Sequence, residues 1–401
     1  MLSATARPYI DASVPVLREH GIDITRVFYQ NMLNAHPELK NLFNMGNQAN
    51  GIQQQSLAAA VFAYAANIDN PSALAPVVKR IVHKHAAVGL KPEHYPIVGE
   101  HLLGAIKQVL GDAASEELIA AWGEAYWLLA NMLIEEEKSL YQATPTTPGE
   151  LISLEVIRKV QETDHIISFY LQADGKSPGP FNPGQYISVE MQFDQGRGRQ
   201  LRQYSLSDST EAPWWRISVK REQENDKPHG QVSNWLHDEV EVGETLRVTP
   251  AFGDFRLHTI QDSTPVALLS AGVGITPILS MLNTLKDRAP ERPVYFAHAT
   301  RSPAWQTHGQ DIQMAKLNMP NLETAFFYES MDGTAPGLGG VHNGYMDAGA
   351  LWPRHLKNAE IYMCGPIGFM QAQRKSLMEA GVPAERIHRE VFGPDLLDHL
   401  L

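Results

Sequence analysis

A chain of 401 residues is too long for one hydrophobic core and implies two or three domains. Its 43% hydrophobic and 19% charged content is that of an ordinary globular protein, and a net charge of -12 argues against a nucleic-acid binder or a basic membrane-surface protein. The single cysteine, Cys364, excludes an intramolecular disulfide framework, MLSATARPYI lacks a leader pattern, and no apolar run reaches spanning length, so a cytoplasmic location is expected.

Residues 1–140 read as all helical, because Ala, Leu, Val and Ile recur at steps of three and four with no strand signal. Breaks are expected at Gly21, His36-Pro37, Asn70-Pro71, Lys91-Pro92 and Gly111-Asp112, giving six or seven helices. Val78, Ile81, His85 and Val88 form one stripe that points His85 inward, whereas His83 shares a face with Lys79 and Arg80 and is expected to be solvated. The Pro- and Thr-rich stretch at 141–150 reads as a linker.

From Leu151 to residue 257, short β-branched and aromatic runs separated by Gly, Pro and Asp imply a small antiparallel barrel with one helical insert, QVSNWLHDEV. Residues 258–401 alternate apolar strands with helices, the pattern of a parallel, doubly wound α/β sheet.

Taken singly, Tyr29, Phe43 and Gln53 read as two core aromatics and a surface amide. Gln53 nevertheless heads the stripe Leu57, Val61, Tyr64, Ile68. In RQYSLS, Arg202 and Tyr204 alternate onto one face of a strand, where a guanidinium can hold a pyrophosphate and a ring can stack on a flavin. SAGVGITP joins strand to helix. There Gly272 and Gly274 permit close approach of a phosphate, Thr276 suits a capping position and Pro277 the first helical turn.

The order Tyr29, Phe43, Gln53, Leu57, His85, Tyr95, with the runs KPEHYPIVGEHLL and AWGEAYWLLANMLIEEEKSLY, resembles the globin domain of bacterial flavohaemoglobins. The barrel and α/β halves resemble the same family's ferredoxin-reductase-like portion, so the likeness covers essentially the whole chain.

It implies a globin domain binding haem b, a barrel binding FAD, and an α/β domain binding NADH or NADPH. His85 would be the metal ligand, backed by a relay through Tyr95 and Glu137; Glu136 is the alternative register, and Glu135 belongs to a solvated face. Tyr29 would face bound oxygen, Gln53 and Leu57 would tune the pocket, Phe43 would wedge the macrocycle, and Lys84 would tune exchange between haem and flavin.

The flavin would meet Tyr186, Arg202, Gln203, Tyr204, Ser205, Gly230, Val232, Ser233 and Phe392, the last within the closing segment Glu390–Pro394. The nicotinamide cofactor would meet Gly272, Val273, Gly274, Ile275, Thr276, Pro277, Cys364, Gly365 and Pro366, with Arg301 able to meet a 2′-phosphate. Cys364 need not be a nucleophile.

The implied function is nitric oxide dioxygenase: electrons pass from NAD(P)H through FAD to haem, where O2 and NO become nitrate, a detoxification under nitrosative stress. The alternative is an NAD(P)H-dependent flavin or ferric reductase joined to an oxygen-binding or oxygen-sensing globin. A monomer without nucleic-acid or stable membrane partners is expected. Two features depart from the family: the linker lacks the usual Gly-Gly-Trp segment, and the pair Trp214-Trp215 has no account at this level.

Overall fold

The computed structural model describes residues 2–43, 51–193, 198–223, 229–331, 340–350, 356 and 358–393, with only the backbone described for 71–73. The described residues divide into two compact units: those within 1–151 and 190–202 together with Gly393, and those within 152–189 and 203–392. Pro394, the last residue of the closing segment, lies outside the described residues. No helix among the described residues is long and apolar enough to cross a membrane.

The first unit contains α1 (Arg7–Ala35), a 3-10 turn (Pro37–Asn41), α2 (Ile52–Ala66), α3 (Pro71–Val88), α4 (His94–Leu110), a second 3-10 turn (Gly111–Ala113) and α5 (Glu116–Ala143). Ser115 begins α5, its Oγ accepting from the Leu118 amide at 3.2 Å, and Glu116 and Glu117 complement the helix dipole.

Two sequence expectations fail here. Gly21 does not end a helix; α1 runs straight through it. A Cβ at Gly21 would stand 3.4 Å from the Ala58 Cβ on α2, an ordinary contact, so α1 continues through a position that faces its neighbour α2. His83 is not solvated: Val77, Val78, Val82, His83, Ala86 and Ala87 are all buried, so α3 is enclosed over a wider arc than one stripe.

Gly99 on α4 marks another close crossing. A Cβ there would lie 2.6 Å from the Tyr126 ring of α5, and the freed space lets the Tyr126 hydroxyl donate to the Tyr95 carbonyl at 2.5 Å.

The second unit carries most of an antiparallel sheet, β1 (Ile152–Thr163), β2 (Ile166–Gln172), β3 (Tyr186–Gln192), β4 (Arg199–Ser205), β5 (Trp215–Lys220) and β6 (Thr245–Val248), in the order β4-β3-β6-β1-β2-β5. The bridge Leu206↔Ile217 joins the two ends of that order, which makes the sheet a barrel. Helix α6 (Gln231–Asp238) is the insert.

The α/β portion follows as β7 (Val266–Ala271), α7 (Ile275–Arg288), β8 (Val294–Thr300), α8 (Gly309–Asn318), β9 (Leu322–Tyr328), β10 (Val341–Asn343), β11 (Glu360–Cys364), α9 (Ile367–Glu379) and β12 (Ile387–Glu390). Its strands are parallel in the order β10-β9-β8-β7-β11-β12, so the chain reverses direction across the sheet between β7 and β11. Ligands of such sheets bind at that switch point, outside the carboxyl ends of the strands.

Arg216 of β5 ties the barrel to α8. Its side chain is 3% exposed; Nη2 lies 3.2 Å from Asp311, and Nε lies 3.8 Å from Asp208. Burial alone would lower the guanidinium pKa, but Asp311 and Asp208 reverse that and raise it. Arg216→Ala would strand two largely buried carboxylates, at a cost of about 3–5 kcal/mol. Urea unfolding of the full chain should show this as a reduced midpoint for the second unit. An unchanged midpoint would mean that the barrel and the sheet are held together by other contacts.

Candidate functional site

In the first unit, α3, α4 and α5 converge on one carboxylate oxygen. Glu137 Oε1 accepts from the Tyr95 hydroxyl at 2.6 Å and stands 2.7 Å from His85 Nδ1; Tyr95 Oη and His85 Nδ1 are 3.2 Å apart. Glu137 is buried, whereas Glu135 and Glu136 on the same helix are exposed. Burial, then the neighbouring Glu137 charge, pushes the Tyr95 phenol far above its ordinary value, so it remains an O–H donor.

A carboxylate opposite Nδ1 places the imidazole proton there, which leaves Nε2 as the lone-pair nitrogen. His85 could then offer Nε2 to a transition metal.

On α1, Tyr29 is buried edge-on against Phe28, with ring centroids 4.8 Å apart, and against Phe43 at 5.6 Å. Gln53 Nε2 donates to its hydroxyl at 3.4 Å. Burial pushes the Tyr29 pKa up to about 12, opposed by the Gln53 bond, so Tyr29 is a neutral phenol at physiological pH. Leu57 packs against the same core. Lys84 is half-buried and donates to the Gly393 carbonyl at 2.7 Å, within the first unit.

On β4, Arg202 and Tyr204 are half-buried on one face while Gln203 is exposed. Arg202 Nη1 donates to Gln200 Oε1 at 2.9 Å and to the Leu201 carbonyl at 2.8 Å. Ser205 and Tyr186 are buried, and a Cβ at Gly253 would lie 3.1 Å from the Tyr186 ring. Gly230 caps α6. Ser233 Oγ accepts from the Glu222 amide at 3.1 Å and donates to the Gly230 carbonyl at 3.1 Å, with Val232 buried beneath. Phe392 is 47% exposed.

The switch point carries both glycine-bearing turns. Gly272 adopts φ +54°, and Gly274, Ile275, Thr276 and Pro277 are buried while Val273 is half-buried. A Cβ at Gly274 would lie 2.3 Å from the Cys364 carbonyl, so only glycine lets the turn after β7 close on Cys364-Gly365-Pro366 after β11.

Thr276 differs from expectation. A 3-10 turn (Gly272–Gly274) leads directly into α7, and Thr276 lies inside the helix with its Oγ1 donating back to the Val273 carbonyl at 3.1 Å. Cys364 is fully buried. Burial, then the Glu390 carboxylate, raises its thiol well above the ordinary range, which disfavours a thiolate nucleophile. Arg301 lies over the Trp305 ring, 4.9 Å from its centroid.

Residues 26–133 match the Globin family, and residues 268–375 match the Oxidoreductase NAD-binding domain family. A flavohemoprotein of Bordetella parapertussis is 46% identical, over 98% of this chain and 99% of its own; one from Rhizobium meliloti is 44% identical over 99% of each. The chain belongs to the flavohemoprotein family.

A crystal structure of the flavohemoglobin from Malassezia yamatoensis, described with bound FAD and heme, superposes with a TM-score of 0.85 at 32% identity, covering 98% of this chain and all of that one. The FAD/NAD-binding domain of a nitric oxide dioxygenase from Vibrio cholerae matches with a TM-score of 0.53 at 34% identity, over 60% of this chain and 98% of that one.

Sequence reasoning missed three supports. Tyr126 anchors the Tyr95 backbone. Trp214 Nε1 donates to Asp208 at 3.0 Å, and Trp215 Nε1 donates to the Gly179 carbonyl at 3.0 Å, so the tryptophan pair braces the barrel. Arg216 ties barrel to sheet. None belongs to a local motif: Tyr126, Trp215 and Arg216 reach partners 31, 36 and 95 residues away, and Trp214 meets Asp208 across a six-residue loop of no recognisable pattern.

Replacing Glu137 by Gln keeps shape but removes the charge that receives two donors. A hydrogen bond to a charged group contributes about 1.5–3 kcal/mol, and the first unit should lose about that much stability. In haem-loaded protein the iron–histidine stretching frequency should also fall, since His85 loses anionic character. An unchanged frequency would separate Glu137 from any electronic role.

Proposed function

We propose that this flavohemoprotein is a nitric oxide dioxygenase that uses NAD(P)H to convert NO and O2 to nitrate, as an NO-detoxifying enzyme of the cytoplasm. The observation that carries this reading is the buried His85–Glu137–Tyr95 cluster, combined with a neutral Tyr29 phenol and its Gln53 partner. The residues present fit the groups the family implies. His85 Nε2 is the ligand nitrogen for haem iron, Phe43 and Leu57 supply apolar walls, Arg202 and Tyr204 share a face suited to flavin, and the two glycine-bearing turns form a cradle for a dinucleotide.

Haem would supply one-electron iron chemistry, and FAD would divide a two-electron hydride into single electrons. The overall balance is two NO and two O2 consumed for each NAD(P)H, giving two nitrate ions and one proton.

The chain's own part is positional and electrostatic. Glu137 accepts the Nδ1 proton of His85, fixing ring orientation and tautomer and making the imidazole a stronger donor, the character that favours oxygen activation over reversible carriage. Tyr95 holds the carboxylate in place. Tyr29 presents an O–H donor inside an apolar pocket, where a developing negative charge on oxygen gains most from it. Burial of Cys364 keeps a protonated thiol beside the nicotinamide turn.

The named activity of the Vibrio cholerae relative supports the same reading. A second reading, flavin-centred reduction of ferric chelates with the globin binding oxygen for another purpose, draws on the likeness of this portion to the Vibrio cholerae relative, whose crystal structure is of its FAD/NAD-binding domain.

Purified protein loaded with haem and FAD, in aerated buffer at an NO electrode, should consume NO rapidly only after NAD(P)H is added, with nitrate as product. His85→Ala should abolish that consumption and leave ferric-chelate reduction intact. Slow NO loss in wild-type protein despite fast flavin reduction would reject the dioxygenase reading in favour of the reductase.

Tyr29→Phe removes only the donor. A charge-assisted hydrogen bond of this kind corresponds to about a ten- to hundredfold change in rate. NO consumption should fall by about that factor while chelate reduction stays constant; equal activity in the two proteins would remove Tyr29 from the mechanism.

A further inference from the structure

The end of β11 opposite Cys364 carries a group of side chains that the proposed function does not use. Glu360 is the first residue of β11, His388 lies on the adjoining strand β12, and His258 lies on the segment between the barrel and β7. One donor atom from each residue falls within 4.8 Å of the other two. His388 Nε2 and Glu360 Oε2 are 2.8 Å apart, and the His258 and His388 rings meet edge to face at 4.4 Å and 89°. We propose that His258, Glu360 and His388 form a binding site for a divalent transition metal of the zinc class, which clasps the segment leaving the barrel to the edge of the parallel sheet.

Two imidazoles and one carboxylate are a ligand set that borderline cations such as Zn2+ accept, with water completing a tetrahedron. Bonds of about 2.0–2.1 Å require donors about 3.4 Å apart, so these atoms need only small side-chain rotations. The ion takes the place of the proton between His388 and Glu360.

Preorganisation separates this group from a chance surface pair. Tyr362, the pairing partner of His388 across the two strands, is buried and stacks on the His388 ring at 4.8 Å and 25°. The same hydroxyl accepts from the His258 backbone amide at 3.1 Å. One buried side chain thus orients both imidazole-bearing positions. A His–Glu ion pair would need no second histidine, nor an anchor for its backbone.

His258 is exposed, while Glu360 and His388 are half-buried, so an ion has a path from solvent into a partly enclosed site. Four residues of strand, about 13 Å, separate Glu360 from Cys364. The metal therefore acts on the stability of the reductase portion and not on hydride transfer itself. A ligand that binds only the folded state raises stability in proportion to its saturation.

The test is isothermal titration of ZnCl2 into full-length protein loaded with haem and FAD, comparing wild type with His258→Ala, His388→Ala and Glu360→Gln. Wild type should bind one Zn2+ at this site, each variant should bind at least tenfold more weakly, and Zn2+ should raise the melting temperature of wild type alone. Zinc-edge X-ray absorption should report two imidazoles in the first shell; the zinc edge is separate from the haem iron.

His258→Ala removes an exposed ring and leaves the buried Leu257 beside it in place, so its NADH-to-ferricyanide activity without metal should match wild type, a check that the variant is folded. Zinc affinity unchanged in all three variants would place the metal on other histidines and overturn the proposal. So would the absence of any zinc binding to wild type, or a zinc shell without imidazole. None of these results depends on whether NO is the substrate.

Discussion

The first unit is built around a single oxygen atom. Glu137 is a carboxylate removed from water, and an isolated buried charge costs several kcal/mol. It is tolerable because Tyr95 and His85 both stand within hydrogen-bond distance of the same Oε1. That requirement fixes α3, α4 and α5 against one another, since residues 85, 95 and 137 must meet within one hydrogen-bond radius. The Gly99–Tyr126 crossing then follows as the contact that lets α4 approach α5 closely enough and anchors the Tyr95 backbone. Stability and ligand chemistry are here the same constraint: the bond that compensates the buried charge also sets the imidazole tautomer.

The second unit solves a comparable problem with the opposite charge. Arg216 is buried in the barrel wall and is satisfied by Asp311 from α8 and Asp208 from the loop before β5, the latter also receiving Trp214. A polar contact between two structural portions gives direction as well as attraction, because a guanidinium fork fits carboxylates in few orientations. The same unit uses glycine where attraction is not the issue. At Gly274 a side chain of any size would collide with the Cys364 carbonyl, and the two turns of the switch point could not close together.

Legibility in the sequence followed the range of the interactions. The fold class and the succession of helices, barrel and parallel sheet came from periodicities local to each segment. His85, Tyr95 and Glu137 came from a resemblance in order and flanking runs; no spacing rule unites residues 52 positions apart, and the shared oxygen is visible only in three dimensions. Gly21 misled because a glycine reads as a break, whereas here it is a buried position inside α1, facing Ala58 of another helix, and packing carries the helix through it. His83 misled because one apolar stripe was taken to mark the whole buried arc of α3. Arg216 and Trp215 were opaque because their partners, Asp311 and Gly179, lie in other segments, and a charged or bulky residue at the start of a strand carries no signal of what it will meet; Trp214 meets Asp208 nearby, but through a loop whose path no local pattern gives.

The placement of the single cysteine follows the same physics. Cys364 ends β11 at the switch point, where electrons would enter the protein, and thiol chemistry depends on the thiolate. Full burial disfavours that anion, and Glu390, its partner across β12, repels it further. A thiol that stays protonated is a poor target for the oxidising species such a protein would meet. Small volume and low polarity suit the packing of two glycine-bearing turns, and the surrounding charge holds back the reactivity that a cysteine would otherwise bring to that position.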